Sequence, residues 1–128
     1  MDQTTPIPIS VIKVRETLMV TVPQEPDDAT VSALQEHVLA AMERHDARAV
    51  MLDISAVETL DSFFARTVSE TARMVTLMVG RTTIVGMRPA VAMTATLIGI
   101  TLDGIETALT VERALDLAEG EPPPKRRR

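Results

Sequence analysis

The sequence predicts an α/β domain with a mixed central sheet. Three observations carry that prediction. Stretches with two-residue alternation take turns along the chain with stretches of three- and four-residue apolar spacing, the mark of strands joined through helices. Residues 50–54, Val-Met-Leu-Asp-Ile, form a nearly unbroken apolar run, as expected of a strand covered on both faces. The chain has 128 residues, 45% of them hydrophobic, which suits one domain with one core.

The elements follow in order. Residues 1–6 are expected to fray. Ile7, Ile9 and Val11 alternate with Pro8 and Ser10 and predict a first strand over 7–14. Pro8 cannot donate to a sheet ladder, so this strand belongs at an edge. Arg15-Glu16 is a short turn, and residues 17–22 are a second strand, paired with the first as a hairpin. The Pro23–Asp28 stretch breaks it. Asp27 or Asp28 caps a helix reaching His45, with Val31, Leu34, Val38, Ala41 and Met42 as its apolar stripe. Gln35, Glu36, Glu43 and Arg44 should face water. The 50–54 strand comes next. A second helix begins at Asp61-Ser62, carries Phe64, Val68, Thr71, Val75 and Met78 on one face, and ends near Gly80, a residue suited to the left-handed stop. Residues 82–87 are a central strand. Pro89 opens a third helix that Gly99 ends. A short strand at 106–109 and a last helix at 111–118, capped by Thr110, complete the body. The later strands should run parallel, which places the 53–62 and 86–89 connections together at their carboxyl ends, the usual functional edge of such sheets.

Composition removes several function classes. There is no Cys, hence no disulfide framework, no thiol chemistry and no Cys-rich zinc site. Trp and Tyr are absent and Phe63 and Phe64 are the two aromatics, so no base-stacking platform exists. The net charge is −5, but residues 125–128, Lys-Arg-Arg-Arg, carry four positive charges. Removing those four leaves nine basic residues against eighteen acidic, a body that repels nucleic acid. No apolar run is long enough to span a bilayer, and the N-terminus does not read as a signal peptide. Glu121 and the three prolines after it read as an extended spacer, making 119–128 a flexible Pro-rich basic tail on a 1–118 domain. His37 and His45 lie eight residues apart on the first helix with no carboxylate or second imidazole set to share a metal, so both are expected at the surface.

Catalytic signatures are missing. The chain has neither a Gly-x-x-x-x-Gly-Lys phosphate loop nor a Gly-x-Gly-x-x-Gly fingerprint. Ser62 lacks a Gly-x-Ser-x-Gly elbow, and no His follows it in the chain. What remains is a serine hydroxyl at an exposed helix start, with no machinery to activate it. Its modification would require a separate enzyme.

Several stretches in register then point to one family. They are Ile7-Pro8-Ile9, Asp53-Ile54-Ser55-Ala56-Val57, Leu60-Asp61-Ser62-Phe63, Gly86-Met87-Arg88-Pro89-Ala90-Val91-Ala92, Leu97-Ile98-Gly99-Ile100 and Ile105-Glu106-Thr107-Ala108. On these, residues 7–118 resemble a STAS domain, the fold of bacterial anti-sigma factor antagonists. More narrowly they resemble the RsbS-like single-domain members found in the stressosome. The Pro-rich basic tail and Phe64 beside Phe63 depart from the pattern, and neither touches the Asp61-Ser62 step.

The resemblance implies a mixed sheet with helices mainly on one face, no enzymatic activity, no cofactor and no metal. It implies a homo- or hetero-oligomer with an RsbR-like STAS sensor paralogue in a large cytoplasmic particle. It implies an RsbT-like switch kinase that is held, phosphorylates the serine and leaves, and a PP2C-type phosphatase that resets it. The acceptor carried over is Ser62, with Thr94 and Thr96 as weaker candidates. Glu58, Asp61, Ser62, Phe63 and Arg88 are the expected partner-binding residues. Nucleic acid and membrane are not expected partners. A free anti-sigma factor antagonist switched at the same serine is the alternative. An enzyme or small-molecule binder built on the 86–89 loop is disfavoured by the missing catalytic groups.

Overall fold

The computed structural model describes residues 9–99 and 104–118. Five strands and four helices alternate: β1 (Ser10–Val14), β2 (Thr17–Thr21), α1 (Asp28–His45), β3 (Ala49–Asp53), α2 (Ser62–Leu77), β4 (Arg81–Val85), α3 (Pro89–Leu97), β5 (Glu106–Ala108) and α4 (Val111–Ala118). They form one sheet in the order β1-β2-β3-β4-β5. β1 and β2 are an antiparallel hairpin, and the remaining neighbours run parallel. The expected mixed sheet is present, and β1 is an edge strand. Ile7 and Pro8, expected to start it, lie outside the described residues, as does the 119–128 tail.

β3 shows why the sheet is covered on both sides. Ala49, Val50, Met51 and Leu52 are all buried, and side chains on a strand point alternately to opposite faces. Val50 and Leu52 join Leu18, Val20 and Ile84 under α1 and α2. Met51 and Val85 face the other way, against Ala114 of α4. Three helices therefore cover one face and the short α4 the other. The predicted stripe of α1 is buried throughout, and α2 buries Phe64, Val68, Thr71 and Val75. His37 and His45 are exposed. Gln35, expected to face water, is half-buried instead: its amide donates to Thr71 Oγ1 at 3.1 Å, bridging α1 to α2.

The helix ends explain themselves chemically. Asp27 caps α1, accepting from the Thr30 amide at 2.8 Å. Thr110 Oγ1 accepts from the Arg113 amide at 3.1 Å at the start of α4. Gly99, with φ 74, follows the last turn of α3 as predicted. The end of α2 differs from expectation. The left-handed residue there is Val79, with φ 65, and not Gly80. Gly80 follows it because a Cβ at that position would lie 2.7 Å from Met42 Cε and 2.9 Å from Val75 Cγ1. Sequence reading placed the glycine by its backbone freedom, whereas packing is what requires it.

Two predictions follow from these ends. A β-branched residue in the left-handed region costs about 1–2 kcal/mol, and Val79 is 87% exposed, so its side chain returns little packing. Val79→Gly should therefore raise the thermal unfolding midpoint, with roughly 1 kcal/mol gained by denaturant titration. The hydrogen bonds from Thr30 hold the Asp27 carboxyl below its usual value of 3.8. A depressed carboxylate stabilises the fold in full above the unfolded value and loses that contribution as pH falls through the folded one. The stability difference between wild type and Asp27→Ala should accordingly be constant near neutrality and shrink below pH 3.8, read from urea midpoints across that range.

Candidate functional site

The carboxyl ends of β3 and β4 carry the two loops that build the site. After β3, Asp53 Oδ1 accepts from both the amide and the hydroxyl of Ser55, at 2.9 and 2.7 Å. This closes a tight aspartate turn, and the chain then folds back so that Val57 is fully buried. After β4, Gly86 takes φ 75. A Cβ there would lie 2.7 Å from Ser55 Cβ, so the two loops approach to a distance that a side chain would forbid. Arg88 fastens them, its Nε donating to the Ser55 carbonyl at 2.8 Å. The expected partner residue Arg88 thus serves the scaffold through one of its N–H groups while the residue remains exposed.

The same 54–61 connection delivers the start of α2. Both Asp61 and Ser62 suit a helix start, and the structure divides the roles. Asp61 is the N-cap, with its Oδ1 accepting from the Phe64 amide at 2.8 Å. Ser62 is the first helical residue and is exposed. Its hydroxyl therefore sits at the positive end of the α2 dipole without being consumed by the cap. Glu58 and Asp61 are exposed beside it in the chain. Phe63 is half-buried against the core and Phe64 is 4% exposed, so the pair anchors the first turn. Of the expected partner residues, Glu58, Asp61 and Ser62 offer an open surface, whereas Phe63 offers only part of a ring.

An open pocket of about 230 Å³ adjoins the cap, lined by Glu25, Pro26, Thr59, Leu60, Asp61 and Phe64. Glu25 and Pro26 come from the β2–α1 connection, which sequence reading treated only as a strand breaker. The signal that places them here is topological: β2 is parallel to β3, so its outgoing loop reaches the same edge. Ser55 was also missed as a structural residue. The Asp-x-Ser spacing of Asp53 and Ser55 was a usable sign of its turn.

Thr94 and Thr96 do not join the site's loops. They lie in α3, and their hydroxyls donate back to the carbonyls of Ala90 and Ala92, each at 3.0 Å. Such bonds are the ordinary resting state of a helical threonine. Among the described residues, no group of three or more His, Cys, Asp or Glu side chains is placed to hold a metal, and no helix is long and apolar enough to cross a membrane.

The profile of the STAS domain family matches residues 8–114. The chain belongs to the STAS family. Among solved structures it is similar to a serine-to-glutamate variant of Moorella thermoacetica RsbS, at 29% identity and TM-score 0.78, covering 88% of this chain and 95% of that one. It is similar also to a chain of the stressosome, described as a signal integration and transduction hub, at 30% identity and TM-score 0.72, covering 86% and 96%. Among curated proteins it matches the RsbT co-antagonist protein RsbRA of Bacillus subtilis (strain 168), 25% identical over 92 residues. That match takes in 72% of this chain and 34% of RsbRA, so this STAS domain corresponds to about a third of the longer protein. The RsbS-like reading of the sequence agrees with these likenesses.

The Asp61 cap yields a prediction. Asp61→Ala should destabilise the domain by about 1 kcal/mol through the unpaired Phe64 amide, and Asp61→Asn should restore most of it, since either oxygen can accept. Equal denaturant midpoints for wild type and Asp61→Ala would show that the cap contributes nothing to folding.

Proposed function

We propose that this chain is a non-catalytic scaffold and regulator of a stressosome, which binds and sequesters an RsbT-like serine kinase and releases it once phosphorylated at Ser62. The observation that carries the reading is the exposed hydroxyl of Ser62 at the first position of α2, next to a cap supplied by a different residue. Likeness to RsbS and to a stressosome chain over most of both lengths supports the assembly. Likeness to an RsbT co-antagonist supports both the kinase and an RsbR-like STAS paralogue as partners. The particle is cytoplasmic, and a PP2C-type phosphatase returns the serine to its free form.

The chemistry of the switch is electrostatic. A phosphate on Ser62 adds about −1.5 to −2 charges at pH 7. The helix N-terminus stabilises that anion by about 0.3–1 kcal/mol, while Glu58 and Asp61 oppose it. The serine side chain is already in water, and the cap belongs to Asp61, so the fold has no reason to change. What changes is the surface offered to a partner. A kinase seated against a neutral hydroxyl among carboxylates meets a dianion instead and leaves. Glu58, Asp61, Ser62, the exposed part of Phe63 and the free side of Arg88 make up that surface.

Phosphosite mapping tests the reading. After incubation with an RsbT-like kinase and Mg-ATP, phosphate should appear on Ser62 in wild type and be lost in Ser62→Ala. Phosphate confined to Thr94 or Thr96 would overturn the site assignment. Co-expression with an RsbR-like paralogue should yield one very large particle by size-exclusion chromatography; a small soluble species throughout would favour a free anti-sigma factor antagonist.

A further inference from the structure

α2 meets water along one stripe. Ser62, Arg66 and Arg73 are exposed on it, and Glu70 is half-buried. Ser62 and Arg66 are four residues apart, the spacing that sets two side chains one above the other on a helix. Between them Phe64 and Ala65 turn into the core, each 4% exposed. Ser62 and Arg66 are therefore surface neighbours at the start of the helix.

Arg66 is uncommitted there. Among the described residues, no hydrogen bond or ion pair engages its side chain. Glu70 lies four residues further along the helix, yet the two form no ion pair. That order is the weaker one, since a helix favours the anion on the N-terminal side of the cation. Asp61, on the other side, spends an oxygen on the Phe64 amide at 2.8 Å. A guanidinium thus stands one turn from the serine hydroxyl without a counter-ion.

A phosphate on Ser62 supplies that counter-ion in the favoured order, with the anion N-terminal and the cation four residues on. It also offers three strong acceptor oxygens to the planar fork of N–H donors. We propose that Arg66 is the intramolecular counter-ion of phosphorylated Ser62. The inference rests on the reading of Ser62 as the modified residue, and it extends what the modification does. Glu58 and Asp61 repel the phosphate, while Arg66 holds it along α2. A cation that is free on the unmodified surface becomes occupied. The switch then withdraws a positive charge from the face offered to a partner as well as adding a dianion.

Phosphoserine installed at position 62 during translation tests this in the full chain, whether or not a kinase uses the site. The second ionisation of the phosphate, ordinarily near about pH 6, is read by phosphorus NMR. A neighbouring guanidinium favours the dianion and lowers that value. In Arg66→Gln it should lie about half a pH unit above wild type, the scale of one unit charge at contact distance in a watery setting. Arg66→Lys, which keeps the charge and loses the fork, should fall between the two. Arg73→Gln should match wild type. The Arg66 Nε–H resonance should also move on phosphorylation while that of Arg73 stays in place. Equal ionisation in wild type and Arg66→Gln, or a rise in Arg73→Gln as large as in Arg66→Gln, would overturn the pairing. A kinase that leaves Ser62 unmodified is a separate result, which overturns the reading of the site and leaves the ionisation values as they are.

Discussion

Burial of β3 on both faces is the constraint from which the rest of the molecule follows. No residue from Ala49 to Leu52 is more than 3% exposed. Since alternate side chains point to opposite faces, apolar cover is needed on both sides of the sheet. Helical crossovers supply it, and crossovers oblige β2, β3, β4 and β5 to run parallel. Parallel strands send their outgoing loops to one edge. The Glu25–Pro26, 54–61 and 86–88 segments meet there because the core left no other arrangement. Gly86 then decides how closely the last two approach.

The architecture was largely legible because its signals are local. The stripe of α1, the proline that opens α3 and the threonine that caps α4 each act within a turn of the residues they organise. What escaped was long-range. Gly80 reads as a helix stop in sequence, yet its neighbour Val79 adopts the left-handed backbone, and a side chain at Gly80 would crowd Val75 and the tip of Met42 from a different helix. Gln35 reads as a surface residue until α2 brings Thr71 within reach of its amide. At the candidate site, the Asp61-Ser62 step was visible, but which residue caps and which stays free depends on the backbone. Arg88 was singled out as a contact for partners, and its bond to the Ser55 carbonyl, 33 residues away, emerges only once β3 and β4 lie side by side.

This division of labour at the start of α2 suits a passive substrate. Asp61 holds the first turn, so a charge added at Ser62 under the proposed switch would leave the cap in place. Under the proposed switch nothing near the hydroxyl would need to act as a base, because the kinase would bring both the proton acceptor and the phosphate donor. The domain contributes a rigid presentation of one oxygen, and its acidic setting gives an added phosphate repulsive neighbours.

The uneven cover of the two faces has a consequence for how the domain breathes. Among the described residues, the apolar cluster under α1, α2 and α3 has eighteen buried members, and the one under the eight-residue α4 has three, Met51, Val85 and Ala114. α4 and the three-residue β5 are thus held to the sheet by few buried apolar side chains. Their amides should exchange with solvent through a local opening that peels both away together, while the amides of β2 and β3 wait for the whole domain to unfold. Such an opening would uncover Met51 and Val85, turning the quiet side of the sheet into a transient apolar surface while the Ser62 side stays in place.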